Sequence, residues 1–537
     1  MATSRETVDV LVIGAGASGA AFTWSLAESG IDVMCLEQGG EPDPQEFPGR
    51  ERDWELHRQT DYHPDPNVRR LPEDYPVNND ESAVEPVMYN AVGGSTILYS
   101  AHFPRFHPSD FRVNTLDGVA ADWPVTYEEL EPHYDLNDRV MGVAGITGDP
   151  AYPPKSPRQT RPLLFGKGGD AMAIGFDRLG WHWWPSDSAI LQGPYDGRQE
   201  CNGGGSCDLG CSRRAKGMAN VTYWPKALMR GALLETQARV REITVGRDGL
   251  ADGAVYYDHA GRVQFQPARI VVLACNGVGT PRLLLNSTTG LNPDGLANST
   301  GLVGKNLMFH PISMVTGVFE QRLDGFKGPL ACDIYSHEFY ETDLSRGFVR
   351  GVGFQVLRGT GPVTTAIGGF GGHVVPWGED HRSVFSEWFA HSLSVAVLGE
   401  DLPEPDNRVT LDPDLADSDG IPAPKIEYKL SDNSLKMMEF GTARAVEAVE
   451  AAGANDVLVN PHVRTSGYHL MGTARMGNEA RSSVVNEWGR AHDVKNLFII
   501  DGSIFVTAAA VNPTSTIQAL ALYIADYIKQ NSRHLLD

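Results

Sequence analysis

A short glycine-rich stretch near the N-terminus has the spacing of a nucleotide-binding loop. Residues 14–19 read GAGASG, directly after the apolar run 8–13 and before a helix-forming stretch. In such a loop Gly14 permits the tight turn, Gly16 lets backbone N–H groups approach a pyrophosphate, and Gly19 lets helix and strand pack closely. The N-terminus of the helix adds partial positive charge. The pattern therefore predicts a dinucleotide site.

An acidic residue completes this pattern. A second strand predicted over Ile31–Leu36 ends at Glu37, whose carboxylate can accept hydrogen bonds from the 2′-hydroxyl of an adenosine ribose. The pattern alone does not separate NAD from FAD. Because the segments that would complete the nucleotide fold lie far downstream, the layout favours a flavin protein whose FAD domain is interrupted by substrate-domain segments.

A second group of reactive side chains consists of three closely spaced cysteines. Cys201, Cys207 and Cys211 follow the spacing C-x5-C-x3-C, with glycines between them. Three thiols in such a loop could bind a metal, but no fourth zinc ligand is obvious apart from His182 upstream. Buried structural thiols are the other interpretation. The chain has only 6 cysteines, which is too few for a disulfide framework at this length.

The surrounding pattern predicts an α/β fold: a Rossmann-like FAD-binding domain with an α+β substrate domain containing a largely antiparallel sheet. A strand over Arg269–Ala274 runs into a glycine turn and then a helix over Arg282–Leu285, as near a nucleotide. Residues 311–430 alternate in the manner of an antiparallel sheet. We predict a discontinuous FAD-binding domain over residues 1–40, 86–125, 225–310 and 465–537. The substrate-binding domain is predicted over residues 126–224 and 311–464. Residues 41–85 are predicted to form an extended excursion or lid.

Composition narrows the classes of partner. Asp and Glu outnumber Lys and Arg by 68 to 45, giving a formal charge of -23. Such a surface repels phosphate backbones and anionic membranes, so we expect no nucleic-acid or membrane partner. There is no apolar run of 18 residues and the first nine residues have no basic signal-like region, so we expect a cytoplasmic protein.

Several motifs, in this order, resemble the glucose–methanol–choline (GMC) oxidoreductases, which are flavoenzymes that oxidise alcohols. The resemblance runs nearly end to end, through GAGASG, GGST at 93–96, GVGTPRLLLNS at 277–287, GKNLMFHP at 304–311, NRVTLDP at 407–413, HLMGTARMG at 469–477, and the closing DGS and NPT. It implies FAD as the cofactor. The residues that would hold the FAD are Gly14, Gly16, Ser18, Gly19 and Glu37 at the ADP half, Val240 at the adenine, Gly93, Gly94, Ser95 and Thr96 along the flavin, Asp501 and Gly502 at the pyrophosphate, and Pro513 and Thr514 at the flavin's pyrimidine edge.

The resemblance also implies the two catalytic residues. His469 matches the active-site histidine of the family, and Asn512 stands where the family has His or Asn. A neutral histidine can take the hydroxyl proton while the C–H bond breaks, and an amide can orient that hydroxyl. In some pyranose oxidases a histidine in the glycine-loop segment carries the flavin covalently. Leu98 stands at that position here, so we expect non-covalent FAD, with His102 nearby leaving covalent attachment open.

The pattern is most similar to pyranose oxidase-like and bacterial sugar-oxidising members. We therefore expect an FAD-dependent oxidase or dehydrogenase for a sugar, glycoside or polyol, passing electrons to oxygen, a quinone or a redox protein. An aromatic or aliphatic alcohol is the second alternative, and a non-redox lyase on the same scaffold is the third. The cysteine loop resembles one that ligates a three-iron cluster in certain sugar dehydrogenases of the family, and structural thiols are preferred to such an iron–sulfur cluster.

Overall fold

The computed structural model describes residues 6–368 and 372–536. The strands, numbered in chain order, are β1 Val8–Ile13, β2 Val33–Leu36, β3 Asn78–Ser82, β4 Trp184–Pro185, β5 Leu233–Glu235, β6 Arg239–Val245, β7 Ala251–Tyr257, β8 Val263–Leu273, β9 Ile312–Val318, β10 Cys332–Ser336, β11 Val352–Leu357, β12 Ser392–Gly399, β13 Arg408–Ala416, β14 Pro422–Tyr428, β15 Asp456–Asn460 and β16 Leu497–Ile499. The α-helices are α1 Ala17–Ala27, α2 Pro66–Arg69, α3 Val113–Asp117, α4 Tyr127–Met141, α5 Lys167–Leu179, α6 Ala219–Thr222, α7 Trp224–Met229, α8 Asn276–Asn286, α9 Pro362–Ile367, α10 His381–Trp388, α11 Asp432–Ala451 and α12 Thr514–Leu535.

The first sheet is parallel at its centre and carries the nucleotide loop. Strands β5, β2, β1, β8 and β16 lie side by side, and β8 continues into an antiparallel extension with β7 and β6. Its central strands are almost fully buried, as expected for apolar, β-branched strands covered on both faces. The carboxyl ends of β1, β8 and β16 meet, which brings Gly14, Ala274 and Asp501 to one edge.

The second sheet is largely antiparallel, in the order β15–β9–β12–β11–β10–β4. Alternate residues such as Val315 and Val397 pack against helices α5 and α11. The opposite face of β9 and β12 forms a separate apolar cluster, which we call the apolar wall: Ile312, Met314, Ala396, Leu398 and Val463. The predicted fold class is confirmed.

A small third sheet joins β13, β14 and β3. Strand β3 comes from residues 41–85, so the predicted excursion contributes a strand that pairs with β14. The strands of the second sheet lie within 126–224 and 311–464, but the division into two domains stays a prediction. Over the residues that the structure describes, no helix combines the length and apolarity needed to cross a membrane. The prediction that the first nine residues contain no secretory signal rests partly on residues 1–5, which lie outside the described residues.

Three predicted element starts are wrong: β2 begins at Val33 rather than Ile31, β8 at Val263 rather than Arg269, and helix α8 at Asn276 rather than Arg282. The Asn276 side-chain oxygen accepts hydrogen bonds from the backbone N–H groups of Val278 and Gly279, at 2.9 and 3.1 Å, and so serves the first turn. Pro281 cannot donate to the carbonyl of Gly277, and the Thr473 hydroxyl donates to that carbonyl instead, at 2.8 Å. The helix therefore tolerates its proline.

Candidate active site

A cavity of about 690 Å³ lies between the carboxyl edge of the first sheet and the apolar wall. It is lined by nearly all of the residues predicted from the sequence: Gly14, Gly16, Ser18, Glu37, Gly94, Ser95, Thr96, Val240, Asp501, Gly502, His469, Asn512, Pro513 and Thr514. Gly19 and Gly93 do not line it and instead allow close packing behind it. A cavity of this size, built mainly from apolar surface with a few convergent polar groups, is typical of a ligand site.

The glycine loop fits a dinucleotide by its backbone geometry. Gly14 has φ +105°, and a Cβ there would lie 2.5 Å from the Ala274 carbonyl oxygen. A Cβ on Gly94, which has φ +53°, would lie 2.8 Å from the Cα of Gly16. Two distant loops thus meet backbone to backbone at the cavity, leaving the approach of a pyrophosphate free of side chains. These residues fit the FAD that the sequence predicts.

Glu37, the residue predicted to bind the adenosine ribose, lies on the cavity lining. It is buried, and its two carboxylate oxygens accept hydrogen bonds from the backbone N–H groups of Ala15 and Gly39, each at 2.8 Å. Burial raises the pKa of Glu37 to about 7, against the opposing effect of these N–H donors. Each oxygen keeps a lone pair for a ribose hydroxyl.

Asp501 joins the end of β16 to the start of α8. Its carboxylate accepts hydrogen bonds from the backbone N–H of Asn276 at 3.1 Å, the Thr280 hydroxyl at 2.5 Å and the backbone N–H of Ser503 at 2.9 Å. Burial raises the pKa of Asp501, although these donors act in the opposite direction. A Cβ on the next residue, Gly502, would lie 2.6 Å from the Leu470 carbonyl oxygen, so this turn is packed tightly at the cavity edge.

His469 is tied to a second buried histidine, and the hydrogen bonds define its tautomer. The Nε2 atom of His310 lies 2.8 Å from the carbonyl oxygen of Ala509 and 3.2 Å from that of Ala508, so Nε2 carries the proton and donates. Burial lowers the pKa of His310 to about 4, which keeps the ring neutral and its Nδ1 an acceptor. His469 Nδ1, at 2.6 Å, must therefore donate to it.

The consequence is that the lone pair of His469 is on Nε2, at the cavity. Burial, with smaller contributions from His310 and His102, lowers the pKa of His469 well below its ordinary value, so the ring is neutral near pH 7. A neutral imidazole with its lone pair on Nε2 can accept a proton there.

Asn512 lies beside that nitrogen and is itself oriented by a glutamine. The Gln355 amide N–H donates to Asn512 Oδ1, which turns the Asn512 amide nitrogen toward His469 Nε2, at 3.4 Å. Gln355 belongs to β11 and pairs with Ala396 of β12, so the predicted catalytic pair, His469 and Asn512, adjoins the apolar wall. The long 3.4 Å contact leaves the lone pair available to a substrate hydroxyl.

Sequence reasoning did not assign roles to His310 or Gln355. His310 is the histidine of the GKNLMFHP stretch, so a signal for it was present in a motif already noted. Gln355 lies in no such motif, and only strand pairing places it beside Asn512. Leu98 lines the cavity, as does His102. Non-covalent attachment of FAD stays a prediction.

The three cysteine side chains of the loop are spread apart in the part of the chain that the structure describes. Among the described residues, the sulfurs of Cys201, Cys207 and Cys211 do not all come within 4.8 Å of one another, whereas ligands of tetrahedral zinc lie closer together. His182, the suggested fourth ligand, pairs with Glu338 at 2.8 Å. Burial is the main cause that raises the pKa of Cys207, to about 12. Ligation of an iron–sulfur cluster and purely structural thiols both stay predictions.

Fold and site together define a dinucleotide-dependent oxidoreductase, with a neutral histidine and an amide facing the nucleotide loop across one cavity. The sequence profile of the GMC oxidoreductases matches residues 192–312 and 403–521, and that of an NAD(P)-binding Rossmann-like domain matches residues 12–75. The chain belongs to the GMC oxidoreductase family, and the prediction of FAD as its cofactor is confirmed. It is an oxidoreductase that acts on alcohols.

Three similar proteins cover almost the whole chain. The 2-methyl-1,2-propanediol dehydrogenase of Mycolicibacterium austroafricanum is 46% identical over 100% of this chain and 98% of its own length. The fructose dehydrogenase large subunit of Gluconobacter japonicus is 29% identical over 98% of each chain. The crystal structure of pyridoxine 4-oxidase from Mesorbium loti superposes with a TM-score of 0.66 at 16% identity, covering 97% of this chain and 99% of that one, which supports the fold.

Proposed function

We propose that this protein oxidises small aliphatic alcohols, diols among them, with His469 as the base and FAD as the hydride acceptor. The observation that carries the substrate class is the apolar wall beside the catalytic pair. Within the classes predicted from the sequence, this choice favours the aliphatic alcohol over a sugar or glycoside. Oxygen, a quinone and a redox protein all remain predicted electron acceptors.

The tautomer of His469 suits removal of a hydroxyl proton. Hydride leaves a C–H bond readily only when the neighbouring O–H loses its proton, and the free Nε2 of His469 can accept that proton. Bound FAD supplies the hydride acceptor at its N5 atom. As Nε2 gains the proton, the ring becomes a cation beside the nascent alkoxide, while Nδ1 stays bonded to His310. His310 holds the ring in this orientation throughout.

Asn512 has a separate part in the same step. Its amide cannot act as a base, but its N–H can donate to the oxygen of the substrate as negative charge develops there. Gln355 accounts for the orientation of that amide, since it occupies the Asn512 oxygen and turns the amide nitrogen toward His469 Nε2, which leaves one of its two N–H groups for the substrate oxygen. Proton acceptance and oxyanion stabilisation thus belong to two different side chains.

The apolar wall disfavours a ring with a hydroxyl on most of its carbons. Ile312 pairs with Leu398, and Met314 with Ala396, so that these side chains form two adjacent rows on neighbouring strands. A buried hydroxyl without a hydrogen-bond partner costs about 1–3 kcal/mol, and a sugar placed against this surface would incur this cost repeatedly. A compact alkyl body gains from the same contact. The diol named in the relative from Mycolicibacterium austroafricanum agrees with this class.

Anaerobic mixing with a panel of alcohols tests the proposal. We expect small aliphatic alcohols and diols to bleach the flavin absorbance with kcat/KM at least ~10-fold above that of glucose, fructose or a methyl glycoside, as one unpaired buried hydroxyl would require. The variant Met314→Gln, which places an amide on the apolar wall, should reduce the ratio of kcat/KM for small alcohols to kcat/KM for sugars. Sugars reducing the flavin faster than every small alcohol would contradict the proposed substrate class.

Substitution of Asn512 by alanine should slow flavin reduction less than loss of His469. We expect a decrease of ~10-fold to 10³-fold, the scale for loss of one donor to a developing oxyanion, mainly in kcat. Stopped-flow reduction under anaerobic conditions measures it, with Asn512→Gln as the matched control that keeps an amide. A larger loss in Asn512→Ala than in His469→Ala would reverse the assignment of the two parts.

A further inference from the structure

A second histidine, His102, is aimed into the same cavity by its backbone. The preceding Ala101 has φ +60°, an unusual conformation for a residue with a side chain. Hydrogen bonds hold both flanks, because Phe103 N–H donates to the Asp187 carbonyl at 3.0 Å and Ala189 N–H donates to the Ala101 carbonyl at 2.9 Å. The position of His102 on the cavity lining is therefore fixed by its neighbours rather than by contacts of its ring.

The ring of His102 has no hydrogen-bond partner among the described residues. The residue is only 9% exposed, and its buried Nδ1 is unpartnered. Other buried histidines of the described chain differ, since His310 bonds to His469 and His107 bonds to His337. Buried polar groups in native proteins nearly always have a partner. An unpaired, buried imidazole on a cavity wall therefore indicates that a bound molecule supplies the partner.

The surroundings of His102 indicate which molecule this is. His102 lies close enough to His469 to contribute to the lowered pKa of that residue. Burial lowers the pKa of His102 itself to about 4, so the ring is neutral, with one donor nitrogen and one acceptor nitrogen. A hydroxyl group, which is also both donor and acceptor, is the matching partner. The five side chains of the apolar wall carry no hydroxyl group. Of the polar residues beside them on the cavity lining, Ser394 is already bonded to Thr316 at 2.8 Å and Gln355 to Asn512.

We propose that His102 binds the second hydroxyl of a vicinal diol, next to the hydroxyl whose proton goes to His469. This inference rests on the proposed oxidation of small alcohols and extends it to a preference for 1,2-diols. His102 selects the substrate without taking part in proton removal, and the apolar wall accommodates the remaining carbons. The two hydroxyls of a vicinal diol are on adjacent carbons, which suits two imidazoles that line one cavity.

Paired substrates with and without the second hydroxyl test this assignment. We expect the wild-type holoenzyme to oxidise 1,2-propanediol with a higher kcat/KM than 1-propanol. In His102→Leu the ratio of the two kcat/KM values should fall ~10-fold to 100-fold, the scale for leaving a buried hydroxyl unpaired. His102→Gln keeps a donor and an acceptor and should retain most of the ratio. His63→Leu is the matched control, because His63 also lines the cavity but already accepts a hydrogen bond from Asp65 N–H at 3.1 Å.

Two further readouts separate the outcomes. The dissociation constant of FAD and the flavin absorption spectrum should match the wild type in His102→Leu, and a change in either would assign His102 to the cofactor and overturn the proposal. An unchanged ratio, or a fall equal to that of His63→Leu, would overturn it as well. If neither alcohol reduces the flavin of the wild-type protein, the proposed function is wrong. If both alcohols reduce it but the ratio of their kcat/KM values does not change in His102→Leu, only the role of His102 is wrong.

Discussion

Flavin reduction by alcohol should slow ~10²-fold or more when His469 is replaced by alanine, the typical scale for loss of a general base, while FAD stays bound. The hydrogen bond to His310 leaves Nε2 as the only proton-accepting nitrogen of the His469 ring, and alanine removes it. Asn512 cannot replace this function, since an amide does not accept a proton near neutral pH. Anaerobic stopped-flow measurement of the flavin absorbance gives the rate directly.

The control for this variant is His462→Ala. The ring of His462 bonds to the Ala83 carbonyl at 2.8 Å and does not line the cavity, so its removal should leave the rate of reduction near that of the wild type. The His469→Ala protein should show the flavin spectrum of the wild type. Reduction at nearly the native rate in His469→Ala would remove this residue from the proposed step.

Introduction of valine at Gly19 should abolish FAD binding. A Cβ at this position would lie 2.0 Å from the carbonyl oxygen of Gly14, a contact that real Cβ atoms do not make. Because Gly14 itself is held at φ +105° against Ala274, the loop can relieve the clash only by moving away from the phosphate position. We expect a folded, colourless protein that does not bind added FAD, measured by absorbance and by fluorescence titration.

The matched control is Gly40→Ala, a glycine in the same N-terminal segment. A Cβ there would have open space around it, so the protein should remain yellow. Circular dichroism separates loss of the cofactor from loss of the fold. Native affinity for FAD in a folded Gly19→Val protein would show that this loop does not hold the pyrophosphate.

Local patterns were sufficient to predict the nucleotide loop but not the orientation of the catalytic groups. Gly14, Gly19 and Glu37 act within a single strand–helix–strand unit, so their spacing carries their function. The tautomer of His469 depends on His310 and on the carbonyl of Ala509, which come from three separate parts of the chain. Gln355 reaches Asn512 only because β11 pairs with β12 beside it. Such contacts leave no periodic signal.

At the start of helix α8, the local sequence pattern predicts the wrong structure. The glycines and the proline at residues 277–281 predict a turn by their local preferences, and the helix forms there because distant groups compensate. The Thr473 hydroxyl donates to the Gly277 carbonyl, to which Pro281 cannot donate. The Asp501 carboxylate accepts a hydrogen bond from the first N–H of the helix. Tertiary hydrogen bonds thus override the local propensity at the position where the nucleotide edge needs a helix start.

The contact between the first and last helices determines when the cofactor site can form during synthesis. Gln518 donates to the Ala17 carbonyl at 3.3 Å and Lys529 to the Ser25 hydroxyl at 2.9 Å, so α12 covers the helix that follows the glycine loop. Until α12 has been synthesised and has packed against α1, the helix that follows the glycine loop lacks this cover. We therefore expect flavin insertion to follow synthesis of α12, and a nascent chain that stops before this helix to bind the cofactor poorly.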